Sequence, residues 1–269
     1  MPNGTKGNKS DYLVDEEDGY PKEERDRISG ELTELYLNNQ IKQKIVVLTG
    51  AGISAESGIS TFRDSGGLWE GYDINEVATP QGWARNRELV LDFYNQRRKN
   101  VRESKPNAAH YALKELEQKY NVVIITQNID DLHERAGSKN IIHLHGEIMK
   151  ARSSFDENQT YDLGEKDISV GDKCEKGSQL RPHVVWFGEA VPMMDRAIEE
   201  ASNADILIVI GTSMVVYPAA GLANYVPFYI PKYIIDPNIP EGLNHKNLTK
   251  IGKKATVGVL ELVEQLLKD

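Results

Sequence analysis

The chain has 269 residues and one cysteine, Cys174, which excludes an intrachain disulfide and a zinc site built on several cysteines. A formal net charge of -9 argues against binding nucleic acid through its phosphates. No apolar run approaches the roughly 18 residues of a membrane span. The N-terminus MPNGTKGNKSDYLVDEEDG lacks the apolar core of a secretory signal, so a cytoplasmic location away from membranes is expected.

Residues 1–23 are polar and acidic, with Asp15, Glu16, Glu17 and Asp18 in one block, and read as a solvated flexible tail. Over 24–38 the positions Ile28, Leu32, Leu35 and Tyr36 share one helical face, which predicts a docking helix. Continuous apolar runs at 44–49, 121–126, 141–145, 183–187 and 205–210 read as buried strands, with further runs at 233–235 and 255–259. Helical spacing falls at 86–103, 107–119, 193–203 and 258–267. This alternation predicts an α/β fold, a doubly wound parallel sheet of Rossmann type that presents ligand sites at the carboxyl ends of its strands. The segment 151–180 is polar and without strong period. It reads as a small subdomain inserted into a main domain made of 24–150 and 181–269.

Gly50-Ala51-Gly52-Ile53-Ser54-Ala55 satisfies G-x-G-x-x-G/A directly after the first strand, the context in which such a turn cradles phosphate. An ordinary dinucleotide unit would continue with a helix, a second strand and an acidic residue about 20 positions on. Here Gly58, Gly66, Gly67 and Gly71 punctuate a polar loop, STFRDSGGLWEGYD, which reads as a flap over a bound ligand and disfavours hydride transfer. Other strand ends carry TQNID (126–130), HLHGE (143–147) and GTS (211–213), each where such a sheet opens its crevice.

In this order, GAGIS..SGI..FR, TQNID, HLHGE, VVWFGE and GTS resemble the sirtuin family from about Lys44 to the C-terminus. The chain looks closest to the bacterial and mitochondrial-type class that removes acidic acyl groups as well as acetyl. The resemblance implies an NAD-dependent protein-lysine deacylase yielding nicotinamide and O-acyl-ADP-ribose, with acylated-lysine proteins as partners and a monomeric chain. In that scheme the acyl oxygen attacks the ribose carbon that bears nicotinamide. His145 then activates a ribose hydroxyl that attacks the resulting imidate, a task suited to an imidazole titrating near neutrality. His143 is taken as structural. Asn128 shares the catalytic role and, with Asp130, holds the nicotinamide end and its ribose, and Gln127 is expected on the cofactor; Asp130 also suits the cap of the helical segment that follows, and the two roles are compatible. Gly50, Ala51, Gly52, Ala55, Gly211, Thr212, Ser213 and Thr256 are expected on the rest of the cofactor, with Phe62, Arg63 and Trp69 in the flap. Asp236 or Asn238 stands where the family places an adenosine ligand.

Tyr94 and Arg97, three apart in DFYNQRR, share a helical face. By resemblance they meet the distal carboxylate of succinyl-lysine; the competing reading is an amphipathic helix with Tyr94 packed and Arg97, Arg98 and Lys99 solvated. Phe187, Gly188, Glu189 and Val215 lie in segments between which the family holds its peptide as an added strand. Most members bind a structural zinc with four cysteines, but this chain has Cys174 alone, and Ser153 stands about where one cysteine is expected, so no metal is predicted. An NAD- or ADP-ribose-binding sensor, and an enzyme transferring ADP-ribose or hydrolysing NAD, remain alternatives.

Overall fold

The computed structural model describes residues 22–37, 42–61, 68–69, 71–212, 219–239 and 246–268. The chain divides into two compact units, Met1–Gln43 and Lys44–Asp269. In the first, α1 (Lys22–Leu37) forms over most of the expected helix, with Arg27 paired to Glu24 and Glu31 and Ile28 exposed. The tail expected over 1–23 lies outside the described residues, apart from the first turn of α1.

The second unit is built on β1 (Lys44–Thr49), a hairpin of β2 (Leu68–Trp69) and β3 (Tyr72–Asp73), β4 (Asn121–Thr126), β5 (Ile141–His143), β6 (Gly146–Ser153), β7 (Thr160–Asp162), β8 (Leu180–Val184), β9 (Ile206–Ile210), β10 (Lys232–Ile235) and β11 (Leu248–Ile251). Its helices are α2 (Ile74–Val77), α3 (Pro80–Arg85), α4 (Arg87–Glu103), α5 (Ala108–Leu116), α6 (Leu132–Arg135), α7 (Met194–Ser202) and α8 (Ala255–Lys268). Six strands make one parallel sheet in the order β11-β10-β9-β1-β4-β5, as the alternating pattern predicts. Both faces are covered, which is why its strands read as continuous apolar runs. Ile45, Val47, Ile124 and Ile208 pack under α5 and α8, while Val46, Leu48, Val123 and Val209 pack with Ala197 and Ala201 of α7.

The register aligns the carboxyl ends: Thr49 pairs with Thr126 and Ile210, Thr126 with His143, and Ile210 with Ile235. A second, antiparallel sheet, β7-β6-β8, packs Ile148, Ala151 and Val184 against Phe93 and Tyr94 of α4. Three expectations are corrected. The run 183–187 supplies no parallel strand; β8 ends at Val184, and its apolar character reflects burial against α4. The run 255–259 is the first turn of α8, because Val259 and Ala255 face the sheet at helical spacing. The strand 141–145 stops at His143, and a turn through Leu144 delivers His145.

Candidate functional site

At the end of β1 the chain turns without entering a long helix. Two short 3-10 turns, Ala51–Ile53 and Ala55–Ser57, carry it to Gly58, at φ 89°. Gly52 is needed because the β1 and β9 turns nearly touch: a Cβ there would lie 2.6 Å from the Cα of Gly211. The amides of Gly50 and Gly52 donate to the carbonyls of Ile210 and Gly211, at 3.0 and 2.9 Å. The glycines therefore serve chain-to-chain approach within the cradle, a demand the motif alone does not reveal.

The loop after β4 is tied to this turn by buried polar groups. The Asn128 carboxamide donates to the Gly50 carbonyl at 3.2 Å and to Ser54 Oγ at 3.1 Å. Ser54 Oγ in turn donates to Asp130 at 3.0 Å, and the other Asp130 oxygen accepts from the Leu132 amide at 3.1 Å, so this carboxylate also tethers the start of α6. Burial pushes the Asp130 carboxyl above its ordinary range, more than these hydrogen bonds and the charge of His143 bring it down. Gln127 donates to Thr212 Oγ1 at 3.0 Å across the same edge. Ser54, central to the network, went unassigned in the sequence reading although it sits inside the GAGIS motif.

His145 Nδ1 lies 2.9 Å from the Gln127 carbonyl. A carbonyl only accepts, so Nδ1 carries the proton and Nε2 keeps its lone pair, the tautomer of a general base. Burial pushes this imidazole below the ordinary histidine value, against the Gln127 bond, and so keeps it neutral. On α4, Tyr94 and Arg97 are both buried; the Tyr94 oxygen accepts from the Trp186 indole at 3.1 Å, and the Arg97 guanidinium lies 5.7 Å from the Phe93 ring centre. The reading with Arg97 and Arg98 solvated is therefore set aside, since Arg98 is fully buried and donates to the Ile148 carbonyl; of the three cations only Lys99 is exposed. Burial raises the Tyr94 phenol far above its ordinary value, which keeps it protonated.

One cleft of about 710 Å³ runs past the glycine turn, the loop after β4, His145 and the Tyr94–Arg97 pair. It is lined by Gly50, Ala51, Gly52, Ala55, Gln127, Asn128, Asp130, His145, Gly211, Thr212, Asp236 and Asn238, and, further along, by Tyr94, Arg97, Phe187, Gly188 and Glu189. Asp236 is buried and accepts from the Asn238 amide at 2.8 Å, so both expected adenosine candidates belong to one turn. Thr256 stands apart: its hydroxyl and amide donate to Glu56, and the wall there is Glu56, Lys254 and Ala255. Glu189 accepts from Arg181 at 2.7 Å, from Arg152 at 3.1 Å and from the Trp186 amide at 2.8 Å, so it clamps the turn that carries Phe187. Burial works against its ionisation, but the two arginines and the amide hold its carboxyl below the ordinary range. Phe62, Arg63, Ser213 and Val215 lie outside the described residues, and of Trp69 only the backbone pairing in the hairpin is described.

In the small sheet Ser153 Oγ donates to Cys174 Sγ at 3.4 Å. One thiol and one hydroxyl do not fit a four-coordinate zinc. Among the described residues no cluster of three or more His, Cys, Asp and Glu side chains lies together, and no helix is long and apolar enough to cross a membrane.

Residues 50–218 match the model of the Sir2 family. The chain belongs to the Sir2 family. It is 50% identical over 230 residues to the NAD-dependent protein deacylase of Bacteroides thetaiotaomicron, covering 84% of this chain and 98% of that protein. It is 52% identical over 226 residues to the NAD-dependent protein deacylase of Helicobacter pylori, again 84% and 98%. Among solved structures it is similar to a Sir2 homolog–NAD complex, with TM-score 0.76, 41% identity and coverage of 88% and 94%. It is also similar to Sir2 bound to acetylated peptide, with TM-score 0.68, 30% identity and coverage of 89% and 97%. The sirtuin resemblance read from the motifs is thereby borne out.

Proposed function

We propose that the chain is an NAD-dependent protein-lysine deacylase that removes succinyl-type acyl groups as well as acetyl. The observation that carries this reading is one cleft joining the Gly50–Gly52 turn, the His145 imidazole and the Tyr94–Arg97 pair. The names of the relatives and the acetylated peptide bound by a similar structure support the reaction class.

NAD, when bound, supplies a ribose carbon with nicotinamide as leaving group. The residues present fit it: a turn at Gly50–Gly52 whose glycines leave the cleft open, Thr212 and Asp236 on the same lining, and buried Asn128 and Asp130 on the loop whose Gln127 carbonyl holds the imidazole. His145 Nε2, which keeps its lone pair, would accept a proton from a ribose hydroxyl of the bound dinucleotide. Arg97, set among Phe93, Tyr94 and Val101, favours an acyl group that ends in a carboxylate, because little water competes for its guanidinium. Packing and the Arg152–Glu189–Arg181 cluster hold the small sheet, contacts that require no metal.

The test is nicotinamide release from NAD with matched acetyl-lysine and succinyl-lysine peptides. Wild type is expected to turn over both and His145→Ala neither, while Arg97→Met loses the succinyl activity about a hundredfold and keeps the acetyl activity. NAD binding without nicotinamide release on either peptide would replace the deacylase with a binding-only sensor. Release that ignores the peptide would make the protein an NAD hydrolase.

A further inference from the structure

We propose that His143 is a positioning residue, an imidazolium latch on the loop 127–130, opposite in protonation to His145 two residues later. Both rings meet that loop: His145 Nδ1 lies 2.9 Å from the Gln127 carbonyl and His143 Nδ1 lies 3.2 Å from the Asn128 carbonyl. They differ at the other nitrogen. His143 Nε2 lies 2.7 Å from Glu134 Oε1, whereas the His145 ring lines the cleft. A carbonyl and a carboxylate both accept, and a neutral imidazole has one N–H. His143 makes both bonds at once only as the imidazolium, while His145, with one acceptor, is served by the neutral tautomer.

The bonds close a ring through the loop. Asp130 accepts from Leu132 at the start of α6, α6 carries Glu134, Glu134 holds His143, and His143 holds the Asn128 carbonyl, two residues before Asp130. Inside the ring Asn128 reaches Gly50 and Ser54, and Ser54 reaches Asp130, so the latch fixes the groups that face the cleft beside His145. The charged and titratable groups around His143 are Glu134 and His133 on α6, Glu147 on β6, and Asp130 in the loop. Burial lowers His143, but the hydrogen bond and charge of Glu134, with Glu147 and the Asn128 carbonyl, outweigh it and place its titration above the ordinary histidine value. Burial lowers His145. Activity then needs His145 without its second proton and His143 with it, which gives a bell-shaped pH profile: His145 sets the acid limb and His143 the alkaline limb. The activity readout rests on the proposed deacylase function; the two protonation states do not.

The experiment is 15N NMR titration of the histidine side chains of the full chain, beside nicotinamide release with a saturating acetyl-lysine peptide from pH 5.5 to 9. Wild type, Glu134→Gln and His143→Gln are compared. At pH 7 one imidazole of the wild type should show both nitrogens protonated, and that signal should vanish in His143→Gln. Glu134, half in solvent, is replaced without threat to the fold. Glu134→Gln should move that titration and the alkaline limb together to lower pH by about one unit. His143→Gln should abolish the limb and reduce kcat at pH 7 about tenfold, with KM for the peptide unchanged. A neutral His143 at pH 7, or an alkaline limb that stays while the titration moves, overturns the proposal. If the wild type releases no nicotinamide with any peptide, the deacylase reading falls and NAD affinity takes over as the readout. It must then weaken about tenfold as His143 loses its proton, and an affinity indifferent to that step also overturns the latch.

Discussion

Under β1 and β9 the wall of the cleft is mostly backbone, with Gly50 and Gly52 pressed against Gly211 and their amides spent on neighbouring carbonyls. Under α4 and β8 it is long side chains, Tyr94, Arg97 and Trp186, backed by Arg152 and Arg181 around Glu189. The backbone end has almost no freedom, since any side chain at Gly52 meets main-chain atoms that cannot swing away. The side-chain end can be rebuilt by single substitutions on one helix face. A cleft made this way keeps one ligand constant while the other is exchanged.

The largest expected effect tests whether the side-chain end is as independent as that contrast implies. Glu189→Ala leaves Arg152 and Arg181, both buried, without their shared carboxylate, and breaking such a pair costs about 4 kcal/mol. Urea unfolding should show that loss, with weaker peptide binding and NAD affinity unchanged. An equal loss of NAD affinity would mean that the two ends form one structural unit.

Next in size is a pH effect behind the backbone end. His110 and His133 lie ring to ring, centroids 4.9 Å apart, under the β1 turn, where His133 meets Thr49. Burial depresses both, His110 from 6.5 to about 4. The unfolded chain therefore takes up protons below pH 6.5 that the folded chain refuses until about pH 4. Stability is full above 6.5, falls as pH drops through that window, and levels off below it, by about 3 kcal/mol for His110. Unfolding free energies at pH 4.5 and 7 should show this slope, reduced by one proton in His110→Gln. A flat profile would show a proton uptake at this end that the burial does not account for.

Gly52→Ala comes third, about 2 kcal/mol from overpacking, because its Cβ would meet the Gly211 backbone at 2.6 Å. NAD affinity should drop at least tenfold while the preference between succinyl and acetyl peptides stays, provided the two ends are separate. A shifted preference would join them.

The same contrast governs what the sequence discloses. The parallel strands are legible because burial on both faces leaves continuous apolar runs, and the backbone end because only glycine satisfies it. β6 was missed: Glu147, Lys150 and Arg152 interrupt its apolar face, and its pairing with β8 shifts register between Gly146 and Ala151. β11, an edge strand reading LTKI, carries little apolar signal. Tyr94 and Arg97 show themselves through three-residue spacing on one helix. Side chains that find partners far along the chain leave no such trace. Ser54 meets Asp130 76 positions away, and Thr256 meets Glu56 200 positions away, pairings that no local pattern discloses. The contact of His143 with Glu134 on α6 is equally hidden, because spacing gives a neighbour's position and not its charge.

Thr49 offers the smallest and most selective break. Its hydroxyl is fully buried at the last position of β1 and lies 3.2 Å from His133 Nε2. Thr49→Val keeps the shape and the β-branched strand preference but removes the hydroxyl, so the loss is one hydrogen bond and the desolvation of an imidazole nitrogen, about 1 kcal/mol. Its neighbour Gly50 meets Ile210 and Gly211 through backbone alone, so NAD affinity should hold within a factor of two. If the backbone end is as self-sufficient as its glycines imply, unfolding shifts and binding does not. If binding falls tenfold instead, the turn depends on the histidine pair beneath it, and the rigidity assigned to the backbone would belong to those buried rings.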